Sequence, residues 1–497
     1  MKNIKKYSII LTLATLIGAC DQYTLPELPQ PAVADLDFTK MVSVGNSLTA
    51  GFMNGALYTA GQNTSYVSAL SKQLALVGGG TFNVPSVNSD NGCFNPAGGC
   101  TLGRLKLKIV NGSPAPVPLA GDGNASLAPF AGKATLNNFG VPGVTIGSAQ
   151  SPALAANPYY ARIASNPGSS TLIGDAKAAM SNGTFFTFWL GNNDALGYAT
   201  AGASAAGTLT SPATFQTLFN LALTEILNAK ADAEGAVANI PDVTSAPFFS
   251  TVVYNPIPLS AESASALTSL LANNYNAFLT GMVANLIITA EEATKRRLTY
   301  KAGQNAILIT DETLTDLTPY MAGPYAGLLP YAKARQTTST DLVCLTAASY
   351  LGADLGGGAK NGVTAPLINT SSAGALSLKG DDLILIPSEI TEIQNAVTQF
   401  NTSIAAAVSA QSSRLVLIDV NSALKDLKAG KVSVNGSALA ASILPPFGAF
   451  SLDGVHPNAR GSAYIANLFI TAINAKWGSS IPLCNPNDYP SNELPTP

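Results

Sequence analysis

Four short apolar runs along the chain predict buried strands, and each run ends in a turn. They are "KMVSV" (40–44), "FFTFWL" (185–190), "FFSTVVYNP" (248–256) and "RLVLIDV" (414–420). Continuous apolar strands that alternate with helical stretches are typical of a parallel sheet covered by helices on both faces. The pattern therefore predicts an α/β domain with three layers, α/β/α, around a central, mostly parallel sheet.

Helical periodicity occupies two long stretches between and after these runs. The segment 387–408 opens on Pro387 and Ser388, which are helix start signals, and then repeats apolar residues every three or four positions. The segment 459–477 has the same spacing. Both stretches are expected to be helices that cover the sheet.

Two regions, 78–135 and 311–380, do not fit the alternation of strands and helices. They contain stretches such as "NGSPAPVPLAGDGNASLAPFAG" and "TPYMAGPYAGLLPYAKAR", which mix glycine and proline with aromatic residues. Loops of this length inside a compact domain are usually functional insertions or lack fixed structure. We expect them to be long loop insertions in one domain over 38–478, which is followed by a tail at 479–497.

The N-terminal residues have the pattern of an export signal. Three lysines precede the apolar run "YSIILTLATLIGA", which is shorter than the roughly 20 residues of a spanning helix. The run ends in "LIGAC", which resembles a bacterial lipobox. This predicts a lipoprotein signal peptide over 1–19, an acylated Cys20 and a proline-rich tether over 20–37. An ordinary cleaved signal with a chance cysteine is the alternative. The expected location is the bacterial cell envelope, lipid-anchored, with the outer membrane preferred.

The charge balance excludes one class of partner. The chain has 26 basic and 29 acidic residues, and only 11% of its residues are charged. No basic cluster suited to phosphate backbones occurs, so nucleic acid binding is not expected. The oligomeric state stays open.

Four cysteines follow Cys20, and their even number favours disulfides in an oxidising compartment. They are Cys93, Cys100, Cys344 and Cys484. Cys93 and Cys100 would close a small loop and leave Cys344 for Cys484, although all three possible connectivities remain open. None of the four has zinc-ligand spacing with a histidine, so no metal site is expected.

The only histidine, His456, lies in "SLDGVHPNARG" (451–461), three positions after Asp453. In α/β proteins, chemistry collects where loops follow the carboxyl ends of the parallel strands. Ser47 follows the first predicted strand in "GNSLTAG", and Asn193 follows the second in "GNND". Between them lies the glycine-containing segment "NFGVPGVT" (138–145).

These residue types permit acyl transfer. A serine hydroxyl needs a base to become a nucleophile, and a histidine suits that role near neutral pH. Asp453 would then orient His456 and stabilise its imidazolium. Candidate donors to the oxyanion are the Ser47 N–H, the Gly143 N–H and the Asn193 side-chain amide.

Taken in order, the four segments resemble those of the SGNH (GDSL) hydrolase family. "GNSL" would carry the nucleophile Ser47, "NFGVPG" the oxyanion glycine, "GNND" the oxyanion Asn193, and "DGVHP" the pair Asp453 and His456. Gly143 matches the oxyanion glycine better than Gly140. The resemblance implies an SGNH hydrolase-like, flavodoxin-like fold and an esterase without a metal or organic cofactor. It does not explain the two insertions.

One position departs from the family pattern. The aspartate that usually precedes the serine is Asn46 here. Asparagine has a similar shape and both donates and accepts hydrogen bonds, so the change is compatible with catalysis. It removes one charge beside Ser47.

The resulting hypothesis is an exported, lipid-anchored serine ester hydrolase that works through an acyl-enzyme. Its substrate would be an acyl lipid or an acetylated carbohydrate, and a carbohydrate O-acetyl esterase is the alternative enzyme. A non-catalytic binding or adhesion lipoprotein is the alternative from another class. Five apolar residues of the second insertion would either cap an acyl chain or serve ordinary packing: Tyr320, Tyr325, Leu328, Leu329 and Tyr331.

Overall fold

A computed structural model describes residues 32–94, 96–110, 113–204, 209–369 and 380–495 of the chain. The predicted signal peptide (1–19), the lipidation residue Cys20 and most of the tether (20–37) lie outside the described residues, as do positions 370–379 of the second insertion. The domain limits proposed from the sequence stay predictions.

The strands of the described residues range from two to nine residues in length. They are β1 Met41–Gly45, β2 Leu102–Val110, β3 Ser113–Ala120, β4 Asn138–Gly140, β5 Phe185–Trp189, β6 Glu234–Ala238, β7 Ile257–Leu259, β8 Gly303–Asn305, β9 Leu308–Thr310, β10 Ala334–Gln336, β11 Leu342–Val343, β12 Ile384–Leu385, β13 Leu415–Ile418, β14 Ser433–Val434 and β15 Ser437–Ala438.

The α-helices range from single turns to 24 residues. They are α1 Ser47–Ala50, α2 Thr59–Asn63, α3 Tyr66–Ala75, α4 Pro158–Ala161, α5 Leu172–Met180, α6 Asn193–Thr200, α7 Pro212–Leu227, α8 Ala261–Leu267, α9 Asn273–Ala284, α10 Ala290–Arg296, α11 Pro387–Ala410, α12 Val420–Lys428 and α13 Ala459–Trp477.

Five strands form the central sheet in the order β13-β6-β5-β1-β4, and every neighbouring pair is parallel. Alternate side chains enter different cores: Val42 and Phe186 lie in one hydrophobic cluster, whereas Met41 and Phe185 lie in another. Because successive strand residues point to opposite faces, helices cover both sides of the sheet. The predicted α/β class with a central parallel sheet is confirmed.

Three of the four predicted strands and both predicted helices are present, but the run 248–256 is not a sheet strand. Its start belongs to a 3₁₀ turn, Pro247–Phe249, and its two phenylalanines are buried in the core from a loop. The strand that lies between β5 and β13 in the sheet is instead β6, "EGAVA", which has few large apolar side chains. A Cβ at Gly235 would lie 2.4 Å from the Phe186 ring, so the large neighbour fills the space that a side chain would need.

The cysteine prediction is correct for one pair and wrong for the other. Cys93 and Cys100 form a disulfide with a Cα–Cα distance of 4.6 Å. Cys344 and Cys484 are both free and buried. Cys344 belongs to the hydrophobic cluster on one face of the sheet and Cys484 to the cluster on the other, so the sheet separates the two thiols.

The first insertion contains the antiparallel hairpin β2–β3 in addition to the disulfide loop. The second belongs to a longer segment between β6 and α11, which contains two separate hydrophobic clusters. Tyr325 packs on Phe278 and Tyr331 on Tyr275, with ring centroids 4.9 and 5.9 Å apart. These aromatic residues therefore serve local packing.

Within the described part of the chain, none of the helices combines the length and the apolar composition that crossing a bilayer requires.

Candidate active site

Ser47 is the first residue of α1, directly beyond the carboxyl end of β1. Asn46 caps this helix, because its side-chain oxygen accepts a hydrogen bond of 2.9 Å from the Leu48 N–H. Ser47 is only 6% exposed. The helix start therefore holds the serine in a fixed position, and its own N–H is one of the first-turn donors that no intrahelical carbonyl satisfies.

His456 connects Ser47 to Asp453, although the serine lies 409 positions earlier in the chain. The histidine Nε2 lies 2.8 Å from Ser47 Oγ, and its Nδ1 lies 3.1 Å from Asp453 Oδ2. One imidazole nitrogen is therefore within hydrogen-bond distance of the serine hydroxyl, and the other is within hydrogen-bond distance of a carboxylate. The structure thus brings together the three residues that the sequence proposed as a triad.

Backbone groups hold the Asp453 carboxylate. Its Oδ1 accepts hydrogen bonds of 2.9 Å from the N–H groups of Val455 and His456, and its Oδ2 accepts one of 2.9 Å from the Gly55 N–H. Burial raises the pKa of Asp453, but the charge of His456 and the hydrogen bonds from His456 and from the Val455 N–H outweigh burial and lower that pKa to about 2. Asp453 is therefore ionised at neutral pH.

The three candidate oxyanion donors lie on separate segments: Ser47 at the start of α1, Asn193 at the start of α6 and Gly143 in a turn. Asn193 lines the same cavity as Ser47, and its side-chain Nδ2 donates a hydrogen bond of 2.8 Å to the Val144 carbonyl, which leaves its second N–H unused by that bond. Gly143 is exposed, has φ +79° and lies in the turn that precedes Val144. A Cβ at Gly140, in contrast, would lie 2.2 Å from the Ala50 nitrogen, so that glycine is needed for packing.

Asn46 has a buried polar partner in the folded chain. Its Nδ2 donates a hydrogen bond of 2.8 Å to the Oδ1 atom of Asn192, and both side chains are at least 95% buried. An ionised aspartate could only accept a hydrogen bond there, so the Asn192 amide would have to turn and present its Nδ2. The sequence did not identify Asn192, because only the folded chain shows which of the neighbouring asparagines faces α1.

Asp194, in α6, connects its helix to the segment after Val144 and to Thr210 through hydrogen bonds. Its carboxylate is 1% exposed and accepts hydrogen bonds from the Ile146 N–H, at 2.9 Å, and from the Thr210 hydroxyl, at 2.8 Å. Burial raises the pKa of Asp194 to about 6, and the two hydrogen bonds offset only part of that effect. The side chain thus fixes the segment after Val144 relative to Asn193.

We expect the stability cost of Asp194→Asn to depend on pH. A carboxyl whose folded-state pKa is raised from 3.8 to about 6 contributes stability that is fully present below 3.8 and is lost as the pH rises through about 6. That contribution amounts to about 3 kcal/mol. The variant lacks it, so urea denaturation should show a larger cost of substitution at about pH 4.5 than at about pH 7.5. Equal costs at both pH values would mean that the folded protein holds Asp194 ionised at the lower pH.

A cavity opens to solvent beside the Ser47–His456 pair, and the empty space between its lining atoms, including open solvent at its mouth, is about 820 Å³. Its walls come from α1, α6, the loop after β6, α12, the segment 449–457 and α13, and they contain no Asp, Glu, Lys or Arg. Apolar side chains make up most of its lining, for example Val243, Ala423, Leu427 and Leu468. None of the five apolar residues proposed as a cap lines it.

Comparison with known proteins adds little to this geometry. No protein-family model and no curated protein matches the chain. A solved structure, a family 3 carbohydrate esterase from Clostridium thermocellum, is similar over 50% of this chain and 72% of its own, with 18% identity and a TM-score of 0.17. A similarity at this TM-score carries no argument about activity. Among the described residues, no group of three or more His, Cys, Asp or Glu side chains is arranged to hold a metal ion.

Proposed function

We propose that the protein is a serine ester hydrolase in which Ser47, His456 and Asp453 act as a catalytic triad. The observation that carries the proposal is the continuous pair of contacts from Ser47 Oγ to His456 Nε2 and from His456 Nδ1 to Asp453, at 2.8 and 3.1 Å. Ser47 and the Asp453–His456 pair, which are distant from each other in the chain, meet in the order that acyl transfer requires.

In the proposed reaction, Ser47 Oγ attacks the ester carbonyl carbon while His456 Nε2 takes the hydroxyl proton. The oxyanion that forms is stabilised by the N–H groups of Ser47 and Gly143 and by the Asn193 amide. Collapse of this intermediate breaks the ester C–O bond, and His456 returns the proton to the departing alcohol. Water then attacks the acyl carbon while His456 takes a proton from it, the bond from that carbon to Ser47 Oγ breaks, and His456 returns the proton to Ser47 as the carboxylic acid leaves.

The cavity favours an ester with an unbranched acyl chain over an acetyl ester. An acetyl group would leave most of the uncharged cavity beyond Ser47 unfilled, whereas burial of each methylene contributes about 0.8 kcal/mol. A carbohydrate O-acetyl esterase would instead need a shallow polar cleft with aromatic side chains for sugar rings. The tyrosines suited to that role, Tyr325 and Tyr331, pack in a separate hydrophobic cluster, so no observation favours this alternative.

The sheet order gives an approximate length for the acyl chain. Ser47 follows β1 and Val420 follows β13, and these strands are separated by β5 and β6. Strand spacing near 4.8 Å makes that distance about 14 Å. A C–C bond of about 1.52 Å at an angle near 111° advances about 1.25 Å along an extended chain. We therefore propose acyl chains of about ten to twelve carbons.

Hydrolysis of p-nitrophenyl esters from acetate to dodecanoate, each below its aggregation concentration, tests the proposal, with Ser47→Ala as the inactive reference. We expect kcat/KM to rise with chain length by up to about fourfold per methylene and to level off near ten to twelve carbons. Equal rates for Ser47→Ala and the natural protein on every ester would refute the proposed function. A rate that is highest for acetate would leave esterase activity standing and refute the acyl-chain assignment.

Ala423→Phe tests where the acyl chain lies. Ala423 lines the cavity from α12, so a phenyl ring there should fill the space beyond the ester. We expect the ratio of kcat/KM for dodecanoate to that for acetate to fall by about 10- to 100-fold, because several methylenes lose their site. Ala429→Phe is the matched control, since Ala429 is exposed at the end of the same helix and does not line the cavity. An unchanged ratio in Ala423→Phe would place the chain elsewhere.

The lipid anchor at Cys20 and the location in the bacterial cell envelope stay proposals that rest on "LIGAC" alone. Replacing Cys20 with serine should move the protein from the membrane fraction to the soluble fraction. Persistent association with the membrane fraction would argue against acylation at this residue.

A further inference from the structure

A tight turn at Met53–Ala56, "MNGA", follows the helix that carries Ser47. Asn54 and Gly55 both have left-handed backbones, with φ +54° and +75°. Met53 and Ala56 exchange backbone hydrogen bonds of 3.1 and 3.2 Å across the turn. A turn with positive φ at both central residues favours the dipeptide Asn-Gly, so the local sequence accounts for the shape of the turn. It does not account for the contacts of the turn.

The turn makes three hydrogen bonds to the segment that contains Asp453. The Asn54 N–H donates to Ser451 Oγ, the Leu452 N–H donates to Asn54 Oδ1, and the Gly55 N–H donates to Asp453 Oδ2, each at 2.9 Å. The last of these reaches the same carboxylate oxygen that faces His456 Nδ1. Among the described residues, the other oxygen, Oδ1, accepts hydrogen bonds only from its own loop, so Gly55 is the distant group that sets the plane of the carboxylate.

The loop closed by the disulfide packs against the same turn. A Cβ at Gly55 would lie 2.4 Å from the Phe94 ring, so this ring rests directly on the glycine. The carbonyl of Cys93 accepts a hydrogen bond of 3.1 Å from the Tyr159 hydroxyl. Tyr159 packs edge-on against Phe52, and the Phe52 ring lies 5.0 Å from the His456 ring. The loop thus supports the histidine from two directions.

We infer that the Asn54–Gly55 turn, braced by the loop that Cys93 and Cys100 close, positions the Asp453–His456 pair for catalysis. Asn54 is a positioning residue in this assignment, since it acts on Asp453 through Leu452 and Ser451. The inference rests on the proposed ester hydrolysis. Misplacement of a reacting group by about 1 Å costs up to about 100-fold in rate, so loss of the turn contacts should lower turnover without weakening substrate binding.

Three variants separate positioning from folding. Asn54→Gly keeps the left-handed backbone but removes the side-chain bonds to Leu452 and to the Tyr58 hydroxyl. We expect its kcat to fall about 10- to 100-fold while KM stays within about twofold. Asn54→Asp keeps an acceptor for the Leu452 N–H and should recover most of kcat. Tyr58→Phe removes only the Tyr58 bond and should retain kcat.

The results distinguish this inference from the proposed function. Activity of the natural protein on p-nitrophenyl esters, absent in Ser47→Ala, establishes the hydrolase independently of the turn. The positioning role would be overturned if Asn54→Gly kept the kcat of the natural protein. It would also be overturned if kcat fell as far in Asn54→Asp as in Asn54→Gly. A fall in Tyr58→Phe equal to that in Asn54→Gly would also overturn it, because the loss would then come through Tyr58. Thermal melting of each variant ensures that the assay is run on folded protein.

A double-mutant cycle tests the part assigned to the disulfide loop. Phe94→Ala removes the ring that rests on Gly55, and its effect on kcat should be smaller in the Asn54→Gly background than in the natural protein. Leu102→Ala is the matched control, because Leu102 is a similarly exposed apolar residue whose carbonyl bonds the Phe94 N–H. Additive effects of Phe94→Ala and Asn54→Gly would show that the loop does not act through the turn.

Discussion

Ser47→Ala is expected to lower kcat/KM for p-nitrophenyl ester hydrolysis by about 10⁴- to 10⁶-fold, because the variant has no atom that can form the acyl-enzyme. The hydroxyl is also the group that His456 Nε2 contacts at 2.8 Å, so its removal leaves the base without the proton that it takes. The residual rate would come from the oxyanion donors and from binding alone. Initial rates over a range of substrate concentrations, measured at equal concentrations of folded protein, give the loss.

Ser43→Ala is the matched control for that substitution. Ser43 lies four positions earlier in β1, is fully buried, and its Oγ has no hydrogen-bond partner in the part of the chain that the structure describes. Removing a hydroxyl without a partner should leave kcat/KM unchanged and should not reduce thermal stability. A comparable loss of activity in Ser43→Ala would mean that the effect at Ser47 reflects damage to β1, and the nucleophile assignment would then fail.

Asn193→Ala is expected to lower kcat by about 10²- to 10³-fold and to change KM little. A donor aimed at the oxyanion interacts strongly only in the transition state, so its loss appears in kcat and not in ground-state binding. The substitution also removes the 2.8 Å hydrogen bond to the Val144 carbonyl, which costs about 1 kcal/mol of folding stability. Steady-state kinetics and a thermal melt of the same preparation separate the two effects.

Asn285→Ala provides the comparison for the stability effect. Asn285 also donates a side-chain hydrogen bond of 2.8 Å to a backbone carbonyl, that of Gly281, at the end of α9. It should lower the melting temperature by a similar or smaller amount and leave kcat at the natural value. If Asn193→Ala retained full turnover, Asn193 would be a loop-bracing residue only, and the oxyanion would depend on the two backbone donors.

Much of the fold could be predicted from local patterns. The apolar runs that became β1, β5 and β13 are continuous because both faces of the sheet are covered, and α13 follows from its periodicity. The structure adds that Asn458 caps the first turn of α13. The prediction failed for β6, which has the composition of a weak strand. The Phe186 ring occupies the space beside Gly235, so the neighbouring strand supplies the apolar volume that the pattern search expected within β6 itself.

The candidate site also contains some contacts that are local in sequence and others that join distant segments. Asp453 and His456 are three residues apart, so their pairing is a local property that the sequence by itself determined, together with the Asn-Gly turn and the cap of the nucleophile helix. Their distance from Ser47, the support of Asp453 by Gly55, the pairing of Asn46 with Asn192 and the walls of the cavity were decided only by the tertiary structure. Each of these contacts joins segments that are far apart along the chain, and local patterns carry no information about which distant segments meet. The same reason explains Cys344 and Cys484: their number allowed a bond, but the sheet lies between them.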